Sequence, residues 1–248
     1  MSIDRTLPFD VENLLRLAVN FQALSTESRD KTRDSFRENE SKGASSLRIL
    51  VDSFIAKLAL VMNKRSIPNP DEKKSYQITL SASFCRTHYI INDLIMCGDL
   101  IEALVLTRKQ LESLTRMYEI DKTPLIKLLK HTPNVTNIFG KSGKVIYPQL
   151  SEFAHFATPR VGELLSIVEK DDLRGPSLVP EFSESAFVCY EFHVLVAIYF
   201  FTFIMDKLQE FYTDYDPKDD MVIFNNIVSL AYREKIIRPI SEIPQQPD

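Results

Sequence analysis

The chain has 248 residues, 44% of them hydrophobic and 26% charged, with a formal net charge of −4; this balance is that of a globular protein and excludes disorder or low complexity for the bulk of the chain. The mild negative charge excludes a whole-chain electrostatic grip on nucleic acid. Three widely separated cysteines, Cys85, Cys97 and Cys189, make neither a disulfide framework nor a zinc ribbon.

Six glycines in 248 residues allow few tight turns and favour long helices over many short strands. The first fifteen residues lack a basic region followed by an apolar core, so no signal peptide is expected and a cytoplasmic location is. Asp10 is placed to cap a first helix that carries Leu14, Leu15, Leu17 and Ala18. The charged stretch 25–43 reads as a solvated helix or a linker. A second helix follows, with Leu47, Leu50, Phe54, Leu58 and Val61 at helical spacing, until Pro68 and Pro70 break it. Next comes a long helix ending at Gly98, where glycine suits the C-terminal position. Asp99 then stands ready to cap a helix whose Leu100, Leu104, Leu111, Leu114 and Tyr118 share a stripe. A turn this short predicts an antiparallel helical hairpin.

A short helix from Thr123 to about His131 precedes a stretch with two glycines, and a small β-hairpin near 135–147 is expected there. The stretch "VLVAIYFFTFIM", twelve residues over 194–205, falls short of the ~20 a bilayer needs and predicts a central helix buried on most sides. Pro217 starts a last helix to about Ile236, followed by a proline-rich tail. The fold class expected is all-α, a bundle of about seven helices: an N-terminal helical arm or pair over 1–66, a main bundle over 67–238, and a disordered tail over 239–248.

No P-loop, dinucleotide fingerprint, nucleophile elbow or HExxH is present. Glu152 and His155 form one Glu-x-x-His pair, half of what a di-iron bundle site requires, so no metal and no cofactor are expected. Arg108 and Glu112 lie four apart at the edge of an apolar stripe, and a partly buried arginine needs partners. The bland reading of that pair is an exposed surface ion pair. In "YPQLSEFAHFATPR", Tyr147, Ser151 and His155 align one turn apart on a helix, and Arg160 follows beyond Pro159. There the bland reading is a histidine satisfied by a hydroxyl or by Glu152. A serine nucleophile is excluded because a helix interior offers no free N–H groups for an oxyanion. Arg86 and His88 face about 200° apart and are read as structure or surface. Lys127, Lys130, His131, Lys141 and Lys144 make a basic cluster read as solvated. Tyr199, Phe200, Phe201 and Phe203 are read as core, with a small-ligand pocket as the alternative.

The run 98–120, with Arg108 and Glu112, followed by the Y-x-x-L-S-x-x-x-H helix ending at His155, resembles the HEPN superfamily of bacterial helical ribonucleases and defence or toxin components over roughly residues 76–165. That resemblance implies an all-helical fold and a place in a defence or stress system. Catalytic members carry an arginine four to six residues before the histidine; here the positions before His155 are Gln149, Leu150 and Ser151. The expectation is therefore an interaction or regulatory protein that self-associates or holds a protein partner and does not engage membrane. The alternative is a HEPN-like, metal-independent ribonuclease in which His155 works with an arginine from another helix, Arg108, on RNA. The ligand- or partner-binding candidates are Arg108, Glu112, Tyr147, Ser151, His155 and Arg160.

Overall fold

A computed structural model describes residues 11–165, 167–170 and 173–237, without the side chains of 160, 167–170, 173 and 174. The expected cap Asp10, the tail 239–248 and the side chain of Arg160 lie outside the described residues. In chain order the elements are α1 (Val11–Asn39), α2 (Lys42–Asn63), α3 (Glu72–Met96), α4 (Leu100–Lys122), α5 (Leu125–Leu128), α6 (Val135–Ala154), a 3-10 turn (Pro159–Leu164), β1 (Ile167–Lys170), β2 (Leu173–Pro176), α7 (Ser185–Phe211) and α8 (Lys218–Arg233). The protein is an all-α bundle. Its one described sheet is the antiparallel β1–β2 pair, with Ile167 opposite Pro176.

The bundle is organised around α7, whose buried residues include Val194, Ala197, Phe200, Phe201, Ile204 and Leu208. A helix apolar on nearly all sides must be covered on all sides, and α2, α3, α4 and α8 all pack against it. By length and composition α7 could cross a bilayer, but 61% of its most apolar window is buried inside the fold, the condition of a core helix. Phe200 stacks on Phe84 of α3 with ring centroids 4.0 Å apart, and Phe201 meets Phe54 of α2 at 4.7 Å. The aromatic run is thus engaged in core packing. Leu47, Val51, Phe54, Ile55 and Leu58 of α2 belong to this same core, so a boundary at residue 66 would pass through one hydrophobic unit.

Several local devices fix the elements. Ser41 caps α2 by accepting from the Ala44 N–H at 2.9 Å, and its hydroxyl donates to Glu234, just past α8, at 2.8 Å. Asp71 caps α3 by accepting from the Lys74 N–H at 2.7 Å. Gly98 ends α3 with φ +85°, where an added Cβ would lie 3.0 Å from the Glu181 carbonyl oxygen. The α3–α4 hairpin follows as expected. Asp99 begins α4 without a side-chain capping bond, and its carboxylate pairs instead with Arg29 of α1 at 2.6 Å. Between α2 and α8, the buried Asp220 accepts from Tyr215 at 2.6 Å and pairs with Lys57 at 2.5 Å. Its charge is thereby compensated where an unpaired one would be costly.

The hairpin expected near 135–147 is corrected: this stretch is the first two-thirds of α6. Its glycines do other work. Gly140 takes φ +53°, ψ −125° and kinks the helix, a conformation open to glycine at little cost. Gly143 is buried, and an added Cβ would lie 2.8 Å from the Val135 carbonyl oxygen, so it serves close packing rather than a turn.

Phe200→Ala is expected to lower stability by about 3–5 kcal/mol, since it opens a cavity between α3 and α7. A shift of the urea midpoint at unchanged m-value is the measurement, and a loss below about 1 kcal/mol would mean α7 does not organise the core.

Candidate functional site

Four of the six sequence candidates meet at one point. Arg108 leaves α4 with its guanidinium 17% exposed and spreads its donors over three partners. Its Nε donates to Glu112 Oε1 at 3.0 Å, its Nη1 to His155 Nε2 at 2.6 Å, and its Nη2 to the Tyr147 hydroxyl at 3.2 Å. The Tyr147 hydroxyl donates in turn to Glu112 Oε1 at 2.8 Å. The guanidinium carbon also lies 5.2 Å from the Tyr147 ring centroid, within cation–π range. Two helix stripes make this possible: Arg108 and Glu112 sit one turn apart on α4, while Tyr147 lies two turns before His155, which ends α6.

Charge and tautomer follow from the geometry. A guanidinium can only donate, so His155 Nε2 must be an acceptor and its ring proton sits on Nδ1. Burial opposes the charge on Arg108, but Tyr147 and Glu112 more than offset this, and the guanidinium holds its proton more tightly than usual. His155 is exposed, as is Phe156 beyond it in a left-handed conformation with φ +51°. Ser151, one turn before His155, has its hydroxyl buried and no hydrogen-bond partner among the described residues. Glu152 turns away from the group and accepts from Thr158 at 2.6 Å. Among the described residues no group of three or more His, Cys, Asp or Glu is placed to hold a metal ion.

The arrangement fastens α6 to α4 by a planar, three-way charge-assisted fork, and it presents an exposed imidazole beside a fixed cation. The basic cluster does not join it by any described bond: Lys127, Lys130, His131, Lys141 and Lys144 are all exposed. Part of that region is held down from beneath, because Arg116 donates to the Leu128 carbonyl at 2.7 Å and to the His131 carbonyl. The three cysteines are free and buried, and burial pushes the Cys85 and Cys189 thiols up to about 12, far from nucleophilic use.

A second polar group escaped the sequence reading. His88, read as structure or surface, is fully buried, and its Nε2 lies 2.8 Å from Asp52 Oδ1. Asn92 Nδ2 reaches the same oxygen at 2.5 Å, and the Tyr89 hydroxyl donates to the Asp52 carbonyl at 2.9 Å. The His193 ring stacks on His88 with centroids 4.5 Å apart. The available signals were the four-residue spacing of His88 and Asn92 on α3 and the position of His193 at the edge of the apolar run; neither identifies Asp52, which comes from a different helix.

Compared with known proteins, the chain matches no family model, no curated protein and no solved structure.

Replacing Arg108 with Ala is expected to cost about 1.5–3 kcal/mol, the range for charge-assisted hydrogen bonds left unmade. Arg108→Lys should recover less than half of that, since an ammonium cannot span three partners in one plane. His155→Ala should cost below about 1 kcal/mol because the ring is exposed. Equilibrium denaturation of the three variants is the check; a harmless Arg108→Ala would mean the fork does not hold α6.

Proposed function

We propose that the protein is a helical interaction protein that self-associates through α1. The observation that carries this reading is an apolar stripe that outruns the body it packs on. In the second half of α1, the Ser28 hydroxyl donates to the Pro180 carbonyl at 2.6 Å and Thr32 to the same carbonyl at 3.2 Å, while Phe36 meets Phe187 at 5.0 Å. Stepping back from Phe36 by threes and fours reaches Thr32, Ser28, Ser25, Phe21, Ala18 and Leu14, one continuous face. Over residues 11–24 that face and its flank are open: Leu14, Leu17, Phe21 and Leu24 are each 50–56% exposed, and Val11, Leu15 and Val19 are exposed as well.

A helical segment of this kind, about 21 Å long at 1.5 Å per residue, is an exposed apolar patch of the sort that marks an interaction site. Its 3-4-3 spacing of Leu14, Leu17, Phe21 and Leu24 is that of a two-helix seam. Glu12 and Arg16 are its charged residues and cancel, so nothing selects an acidic or basic partner. The chemistry that covers it is another apolar helical face, and a second copy of the chain brings one in a closed, isologous pairing.

Light scattering coupled to size exclusion is expected to give an oligomer for the full chain and a monomer for Leu17→Lys/Phe21→Lys, with helical circular dichroism and melting unchanged. A monomeric wild type would remove the self-association, and a variant that still assembles would remove α1 as the surface.

One observation favours a second reading. The 2.6 Å contact of Arg108 with His155 supplies, from another helix, the arginine that a HEPN-like ribonuclease would carry upstream of its histidine. In that chemistry the imidazole handles the proton and the guanidinium the phosphate charge. Cleavage of single-stranded RNA in the presence of a chelator, lost in both Arg108→Ala and His155→Ala, would support it; an RNA substrate left intact by the wild type would end it.

A further inference from the structure

The buried pair of histidines carries an inference independent of α1 and of the Arg108 fork. His88 and His193 are both 0% exposed. Neither nitrogen of His193 has a hydrogen-bond partner among the described residues, nor do His88 Nδ1, Asn92 Oδ1 or the hydroxyl of the buried Tyr190, whose ring meets His193 edge-on. Polar groups buried in this way are costly, and groups that can gain a charge are the most consequential of them.

The charges around the pair come from three elements. From α2 comes Asp52, already taken up by His88 and Asn92. Also from α2 comes Arg48, whose Nε and Nη2 each donate at 2.9 Å to the two oxygens of Glu40, in the α1–α2 turn. That ion pair is closed on itself, with Glu40 2% and Arg48 15% exposed. From α3 come His88 itself and Tyr89, and from α7 Tyr190. The group in direct contact with His193 is another imidazole, stacked at 29°. A proton on His193 would therefore meet no carboxylate in a described hydrogen bond to that ring; Asp52 reaches only His88 and Asn92.

We propose that the His88–His193 stack is an acid-triggered release built into the core, in which proton uptake by His193 opens α7 from α2 and α3. As long as His193 is neutral, the two rings share a face and the helices close over them. Once it is charged, the closed arrangement holds a buried imidazolium against a second imidazole with no acceptor hydrogen-bonded to it, and the open arrangement, where water reaches the ring, is favoured.

The direction agrees with the ring's surroundings: burial, together with the neighbouring His88, holds the His193 imidazole well below the ordinary histidine range. A depressed folded value means the open form takes up the proton first. Closure is then fully favoured above the ordinary histidine value of about 6.5 and weakens as pH falls below it. One unit below that value the opening equilibrium should have grown about tenfold relative to one unit above.

Amide hydrogen exchange of the full chain, followed by mass spectrometry at pH 7.5 and pH 5.5 and corrected for intrinsic exchange, reads this directly. The expected result is an approximately tenfold loss of protection confined to α7 around His193 and to the facing turns of α2 and α3. His193→Phe, which keeps a ring to stack on His88, and His193→Gln should both show flat protection over the same interval. Unchanged protection in the wild type overturns the proposal, as does a loss that persists in both variants or spreads evenly over every helix. Should neither variant fold, the wild type still decides: a His193 ring that titrates near 6.5 by NMR while protection stays constant overturns it too.

Discussion

The cover that α7 demands is the constraint on which the rest of the structure depends. Its length exceeds the apolar run at its centre, and along that run only the narrow stripe through Leu195, Tyr199 and Thr202 is left partly to water. Phe200 needs Phe84, Phe201 needs Phe54, and Phe203 meets Tyr118 at 4.8 Å. These contacts recruit α2, α3 and α4, three consecutive helices that end more than sixty residues before α7 begins. Aromatic rings bury large areas and prefer offset and edge-on arrangements, so these pairs carry much of the packing of the outer helices on α7. α6 packs on α4 through the buried Val135, Ile146 and Leu150, with Phe139 against Tyr118 and Tyr199, and the Arg108 fork adds a polar fastening at its end.

That division explains why the two polar groups differ so much in character. The Arg108 group sits at the margin of the bundle, where a charge can keep some hydration and still be paired, and its described donors are used. The His88–His193 group sits where α2, α3 and α7 meet, with ring nitrogens and a phenol left unmatched. The first adds charge-assisted bonds between two helices; the second leaves unmatched polar atoms where three helices meet.

Much of this was legible in the sequence, and the parts that were not have physical reasons. The α3–α4 hairpin followed from Gly98, where glycine suits a helix C-terminus, and from the shortness of the turn after it. Arg108, Glu112, Tyr147 and His155 could be picked out because each pair lies at helical spacing on its own helix, although only packing could bring the two stripes together. Residues 135–147 misled because two glycines ordinarily mean a turn, whereas Gly143 is there to let Val135 approach. Asp99 was read as a cap since local rules see neighbours in sequence, and its partner Arg29 lies seventy residues upstream. Asp52 and His193 were invisible for the same reason: nothing in either local sequence announces the other.

The bond from Ser41 to Glu234 spans 193 positions, and it fixes the order in which the molecule can be completed. As the chain is made from its N-terminus, α2 emerges early with Leu47, Val51, Phe54, Ile55 and Leu58 facing outward. α3 covers part of this helix, and α7 and α8, which cover the rest, come last of the described helices. Until Arg233 and Glu234 have been added, α2 is an amphipathic helix without its cover, open to whatever in the cell binds such surfaces. The α3–α4 hairpin, by contrast, is closed by neighbours and can form while synthesis continues. The apolar face of α2 is therefore fully covered only after α7 and α8 have been made.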